Sequence, residues 1–489
     1  MKKTLRLMSL LICAAMILTL GACGKAGGAS SELNASESDD AMLIGFDDDS
    51  AVQGTASGTQ SQSKNPTGSN AQLGGDTTNY GGTEIENEVV FNKKDPFADI
   101  PSRLRGTTVK FATWGDESSE VYRKVIEGFT KKTGIKVQFI EYSQYTYQES
   151  VTASIVNKDA PDVAIAGTFP SCFSMFQPID NLIDTKDEFW DPTIMEYSRI
   201  NGKTYAVNSV ESSWTPGMLV YYNKALFNNN GITSPEEYYK AGKWSWENYE
   251  KCAKAISDLG SGYVGTLPGH IALCLNRGLG NPSVKYDTKK AQFTNNLKNA
   301  AEGYRYTFSL IDKGICAPYG DSASFTLGKV GLVINDPFGS KYNGYYKDMK
   351  DSELGILPLP ETYKGKKVNN AIANGYRGYG IAKGAKNPEA AAYFLRYFLD
   401  YKYYEEAGVN IFKNKSTAKT YFDIMDKYYR LNSNRVIDLA GQIWDGFESK
   451  FDSYVLTTSS AQVETVISQH ANEMDSYVKN ANAVINSLK

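Results

Sequence analysis

GTTVKFATWGDESSEVYRKVIEGFTKKTGIKVQFIEY, residues Gly106–Tyr142, carries two hydrophobic periods in succession. Val109 and Phe111 alternate with polar neighbours in a strand that ends at Trp114, whereas Val121, Val125, Ile126 and Phe129 recur at helical spacing. Ser118 or Ser119 suits the helix cap, Lys131 and Lys132 sit in its last turn, and Gly134 stops it. IKVQFIEY is then a second strand, the stretch from Gln148 to Asn157 a second helix, and APDVAIAG (Ala160–Gly167) a short strand apolar on both faces. A β-α-β-α-β order requires parallel strands with crossover helices, and ligands of such sheets lie beyond the carboxyl ends of the strands. Those ends are Trp114, Gly115 and Asp116, then Gly167, Thr168 and Phe169.

From Gly106 to Lys489 there are 384 residues, a length that favours two lobes over one. GKTYAVNSVESSWTPGMLVYYNKALF reads as an extended segment passing between lobes, with Pro216 and Gly217 inside it. WSWENYEKCAKAI is amphipathic, with Trp244 and Trp246 assigned to packing, and the stretch from Ala300 to Gly314 is another helix. GKVGLVINDPFG is a buried strand ending in a turn. LGILPLP and GYRGYGIAKGAKNPEAAAYFLRYFLDY form a further crossing, with Asn387 as cap, Pro388 at the first helical position, and Phe394, Leu395, Phe398 and Leu399 on one face.

Ahead of this body, Lys2, Lys3 and Arg6 precede an apolar run from Met8 to Leu20 that is too short to span a bilayer and reads as a signal peptide over residues 1–22. Leu-Gly-Ala-Cys at its end resembles the bacterial lipoprotein box, which implies acylation of Cys23 and anchoring to the outer face of a cell membrane, as on a Gram-positive-type surface. Residues 23–105 are rich in Gly, Ser, Thr, Asn and Gln. From Gly24 to Val90 eleven acidic residues face two lysines, so the stretch reads as an extended tether. The whole chain has a net charge of −3 and 12% aromatic residues, 33 of them tyrosine, so electrostatics suggests neither nucleic acid nor an anionic lipid surface as partner. Cys172, Cys252, Cys274 and Cys316 follow no regular spacing and read equally as disulfides or buried thiols. With His270 and His470 the only histidines, a histidine-based metal site is disfavoured, and no cofactor is expected.

The lipoprotein box, the opening strand ending in Trp114, APDVAI, VYYNKALF, GKVGLVINDPF, LGILPLP and AKNPEAAAYFLRYFL occur in the order found in family 1 of the extracellular solute-binding proteins. These are the maltose-binding-like lipoproteins of carbohydrate ABC importers, and the resemblance covers nearly all of residues 106–489. It implies an α/β, two-lobed type II periplasmic-binding-protein fold, each lobe a mainly parallel sheet flanked by helices, with a ligand cleft between them. Crossing strands then fall near Tyr205–Asn208 and Gly355–Leu359. The lobes comprise 106–207 with 360–410 and 208–359 with 411–489.

The implied function is capture of a mono- or oligosaccharide by a monomer and delivery to the permease subunits, without catalysis. Sugar recognition needs flat rings for the apolar ring face and charged or amide groups for hydroxyls. Trp114 and Asp116, with Thr168 and Phe169, stand at strand ends suited to that task. By resemblance, Phe338 in NDPFG takes the place of the family's NGPW-type aromatic, the smaller ring implying a smaller or differently oriented ligand. Glu211 and Trp214 lie near the family's ligand carboxylate, in a segment longer than that of its relatives. Tyr376 and Arg377 in NGYRGYG match its glycine-rich cleft edge, and Trp444 reaches the cleft or packs elsewhere. Rival readings are a lipoprotein that senses or binds a non-sugar solute such as a peptide or polyamine, and a surface glycoside hydrolase. Against the latter, the chain contains no GxSxG, HExxH or P-loop pattern.

Overall fold

Gly106–Tyr142 forms, in the computed structural model of the protein, the strand, helix and strand that its periodicity predicts. The structure describes residues 73, 79–85, 88–114, 120–166, 169–210, 217–318, 320, 322–336, 344–373, 375–409, 412, 415–430, 437, 439–443 and 460–488. All belong to the unit Ile44–Lys489. The described strands of three residues or more are β1 (Thr108–Thr113), β2 (Lys136–Glu141), β3 (Val163–Ala166), β4 (Leu219–Asn223), β5 (Val264–Thr266), β6 (Val284–Asp287), β7 (Gln292–Asn295), β8 (Val330–Asn335), β9 (Leu354–Pro358) and β10 (Gly378–Ile381). Helices used below are α1 (Glu120–Thr133), α2 (Tyr147–Val156), α3 (Trp246–Ser257), α4 (Ile271–Gly278), α5 (Glu302–Asp312), α6 (Pro388–Phe398) and α7 (Val463–Leu488).

One sheet has the order β10-β3-β1-β2, with β1 parallel to β2 and β3 and β10 antiparallel to β3. The other has the order β9-β4-β8-β5, with β8 parallel to β5 but β4 antiparallel to both β8 and β9. The expectation of two mainly parallel sheets therefore needs correcting for the second, which is mixed. The odd strand in each sheet, β10 or β4, is the one by which the chain arrives from the other sheet. Such a strand starts at the connecting side and runs away from it, opposite to its neighbours. Register confirms the geometry: Gly378 pairs with Ala166 at the end of β3, and Leu219 pairs with Asn335 and Pro358 at the ends of β8 and β9. The carboxyl ends of β1, β2, β3, β5, β8 and β9 consequently point toward the passages that lead into β4 and β10.

Those passages run side by side, joined by bridges between Val207 and Tyr379 and between Gly217 and Ala373. Gly355–Leu359 is not the second passage: it includes most of β9, buried within the second sheet. Beyond it, a hairpin pairing Thr362–Tyr363 with Lys366–Lys367 stays docked on the same body. There Glu361 N donates to Trp244 O, Asn369 N to Gly278 O and Met218 N to Ile372 O. The chain returns to the first sheet only along Ile372–Tyr379.

In the first core, Phe111 from β1, Phe129 from α1 and Phe394 and Phe398 from α6 form one aromatic cluster. Asp162 ties the elements together. Its carboxylate accepts Lys110 N on β1 at 2.8 Å and Lys386 N and Asn387 N before α6 at 2.9 and 2.7 Å. Burial pushes its pKa up against the pull of those donors. In the second core, Trp244 Nε1 donates to Pro358 O at 2.9 Å and Trp246 packs on Tyr249 and Tyr306, the packing role assigned to both tryptophans. Cys172, Cys252, Cys274 and Cys316 are free, buried thiols. Among the described residues no helix is long and apolar enough to cross a membrane.

The stretch ascribed to the tether does not extend to residue 105. Thr83 N donates to Ala385 O and Val89 N to Leu182 O, while Phe97, Ile100 and Leu104 are buried in the first core. Phe97 lies among the rings of Tyr393, Tyr397 and Tyr403, and Asp95 pairs with Lys132 of α1 at 3.1 Å. An arm from about residue 79 onward is thus part of the folded body.

Candidate functional site

Trp114 leaves the carboxyl end of β1 with its ring half-buried and its edge set by Tyr147, the first residue of α2, at 4.4 Å between centroids. Tyr147 in turn is fixed by the sheet. Its buried hydroxyl accepts Ile165 N at 2.7 Å and donates to Ala112 O at 2.9 Å, standing between β1 and β3 near their carboxyl ends. A side chain wedged there holds the strand ends apart and gives the indole a rigid support. From the return passage Arg377 lays its guanidinium over the Trp114 ring at 5.2 Å. The Arg377 carbonyl accepts Asn208 Nδ2 at 3.1 Å, so the first passage holds the second in place. The result is an aromatic plane and a fixed array of N–H donors at the convergence of β1, β3 and β10.

Phe169 and Tyr376 are only 1% and 4% exposed and present no open ring face. Both belong to a cluster in which Phe169 meets Phe173, Tyr376, Tyr286 and Phe293 at centroid distances of 4.9–5.6 Å. Tyr286 and Phe293 come from the β6–β7 hairpin of the second body. Phe293 is clipped to α7 by paired bonds with the Asn482 amide. The cluster therefore packs the two bodies together beside the passages. The glycines of NGYRGYG serve this packing: a Cβ on Gly378 would fall 2.6 Å from the Tyr376 hydroxyl, and one on Gly380 2.5 Å from the Phe176 ring. Aromatic side chains thus approach Gly378 and Gly380 closely.

Asp116, Thr168, Glu211, Trp214, Phe338, Trp444 and Cys23 lie outside the described residues. Of the expected site residues, the structure brings Trp114 and Arg377 into contact and buries Phe169 and Tyr376 nearby.

On the second sheet, the ends of β8 and β5 add groups that the sequence does not single out. Tyr221 donates its hydroxyl to Asp336 O at 2.9 Å and packs tilted, at 4.9 Å between centroids, against Tyr346, whose hydroxyl accepts Asn335 Nδ2 at 3.4 Å. His270 follows β5. Desolvation lowers its pKa to about 4 although Asp336 pulls it upward, and Arg277 adds to the lowering. Arg277 is buried and donates from Nη1 to Ala373 O on the return passage at 3.1 Å. The one sequence signal for His270 is that it is one of two histidines and stands just past a short strand, whereas the histidine count by itself bears only on metal binding. Among the described residues no group of three or more His, Cys, Asp or Glu is placed to hold a metal ion.

The arrangement agrees with comparisons to known proteins. The model of the bacterial extracellular solute-binding protein family matches residues 114–405, more than half of the chain. Among solved structures, an extracellular solute-binding protein of Staphylococcus aureus in complex with maltose aligns over 77% of this chain and 98% of its own, at 16% identity and a TM-score of 0.56. The GacH receptor of Streptomyces glaucescens, solved without ligand and with acarbose, aligns over 76% and 98%, at 19% identity and a TM-score of 0.55. The cyclic α-maltosyl-1,6-maltose binding protein of Arthrobacter globiformis aligns over 78% and 98%, at 14% identity and a TM-score of 0.53. No match is found among curated proteins. These likenesses establish the two-lobed fold, and the family match over residues 114–405 establishes that the chain belongs to the bacterial extracellular solute-binding proteins.

Proposed function

We propose that this protein captures a mono- or oligosaccharide between its lobes and passes it, chemically unaltered, to the permease of an ABC importer. The observation that carries the reading is the half-exposed Trp114 ring, braced by Tyr147 and faced by Arg377, where strand carboxyl ends from both sheets converge on the passages. A flat ring beside fixed donors suits the apolar face and the hydroxyls of a pyranose. The saccharides named with the structural relatives, maltose and acarbose among them, support the same ligand class.

In this reading the first lobe comprises residues 79–207 and about 373–410, and the second 218–372 with the segment after 411. Acylated Cys23 anchors the monomer to the outer face of the membrane, and residues 24–78 connect anchor to arm. Asp116, Thr168, Glu211, Trp214, Phe338 and Trp444 are further cleft candidates. A ligand touching both lobes favours the closed form, giving the permease a shape to recognise.

Thermal-shift screening of a chain beginning at Asn79 tests the reading. A cleft ligand at a hundred times its Kd adds about 2.7 kcal/mol of stability. We expect at least one saccharide to raise the melting temperature and to be recovered intact. Stabilisation by peptides or polyamines alone, or turnover of a glycan, would refute it.

A further inference from the structure

We propose that His270 is a ligand-contacting, specificity-determining residue of the second lobe, offering its imidazole to a hydroxyl of an uncharged saccharide. The inference rests on the saccharide-binding reading and assigns the second lobe's part in it. Three observations carry it.

The first is position. β5 and β8 are parallel neighbours, with Thr266 in register with Leu332, so the loop after β5 emerges beside the end of β8. A Cβ on Gly269 would sit 3.7 Å from Ile334 O, which brings His270 alongside Asn335 and Asp336. This is the connecting side of the sheet, where β4 receives the chain from the first lobe. Ligands of such sheets bind outside the carboxyl ends of the strands.

The second is environment. The His270 residue is partly exposed, yet protein surrounds it closely enough that desolvation dominates its titration.

The third is charge. With a pKa of about 4 the imidazole is neutral at physiological pH and supplies one donor and one acceptor. A saccharide hydroxyl also donates and accepts, so the two can pair in either sense, whereas lysine only donates and a carboxylate only accepts. Asp336 beside it disfavours phosphate or carboxylate groups on the ligand at this point, a repulsive element that adds selectivity.

With only two histidines in the chain, imidazole NMR reads the proposal directly. His470, on α7 and 3.2 Å from Glu473, serves as the internal reference. Maltose, maltotetraose, acarbose and D-tagatose are each titrated into the protein while melting temperature, binding heat and both imidazole resonances are followed. We expect a saccharide that binds to move the His270 resonance and leave that of His470 in place. His270→Ala should weaken that saccharide about tenfold, the scale of one hydrogen bond whose partner is left unpaired. His270→Gln, which keeps an uncharged donor and acceptor, should retain most of the affinity.

A saccharide that binds without moving the His270 resonance, or that binds His270→Ala as tightly as the parent, overturns the proposal and leaves the saccharide reading standing. Failure of all four sugars to bind the parent overturns both. If His270→Ala does not fold, the resonance shift in the parent and the affinity of His270→Gln decide.

Discussion

Replacing Tyr147 by Phe tests whether one hydroxyl shapes the first lobe's half of the site. That hydroxyl accepts from Ile165 N and donates to Ala112 O, and all three residues are buried. Its removal leaves one donor and one acceptor without their partner. Each orphaned buried group costs about 1–3 kcal/mol. If the freed strand ends close and bond directly to each other, much of that loss is recovered, so the net cost should be about 2 kcal/mol. For a lobe-sized unit of about 150–250 residues this lowers the melting temperature by about 4–8 °C. Closure of the strand ends would also displace Trp114, whose ring rests on Tyr147, so saccharide affinity should fall with stability. Differential scanning calorimetry and a binding titration on the Tyr147→Phe variant measure both. A melting temperature within about 1 °C of the parent, with affinity unchanged, would refute the wedge.

Other consequences are as direct. Phe97→Ala removes a ring lodged among Tyr393, Tyr397 and Tyr403 and should cost about 3 kcal/mol, with a chain starting at residue 106 destabilised at least as much by thermal melting. Asp162→Ala strips the acceptor from three backbone N–H groups and should lower stability by about 3 kcal/mol or more in denaturant titration. Acid should act in two stages. His270 has a folded pKa of about 4 against an ordinary 6.5, so the stability tied to its neutral form is complete above 6.5 and lost as pH falls toward 4. Glu302 is held at about 2 against an ordinary 4.5 by its bond from Lys364, then those from Tyr363 and Arg305, so its contribution is lost between 4.5 and 2. Melting curves across pH should flatten in the upper window for His270→Gln and in the lower for Glu302→Gln.

The opening β-α-β-α-β is readable because its first strand and first helix keep apolar periods of two and of about three and a half, and its third strand is a short unbroken apolar run. The arm is not. Val89, Phe91, Phe97, Ile100 and Leu104 follow no period, yet all pack into the first core. LGILPLP is equally consistent with a buried strand and with a passage between lobes. Only its pairing with β4, more than a hundred residues earlier in the chain, decides for the strand. Trp114 and Arg377 are each legible as neighbours of a strand end, but the contact between them is tertiary. Phe169 and Tyr376 illustrate the converse: an aromatic ring near a strand end looks the same in sequence whether it stacks on a sugar or on a hairpin from the other body. Tyr147 carries no mark in the sequence, and His270 only its rarity and its place after a short strand, because their importance arises from what the sheet places around them.

Calorimetric titration of saccharides into the parent and into Trp114→Ala bears most directly on capture between the lobes. One sugar should bind the parent in a 1:1 complex, bind the variant at least about tenfold more weakly, and be recovered unchanged. Equal affinity in both proteins, or a cleaved product in the cell, would contradict the account.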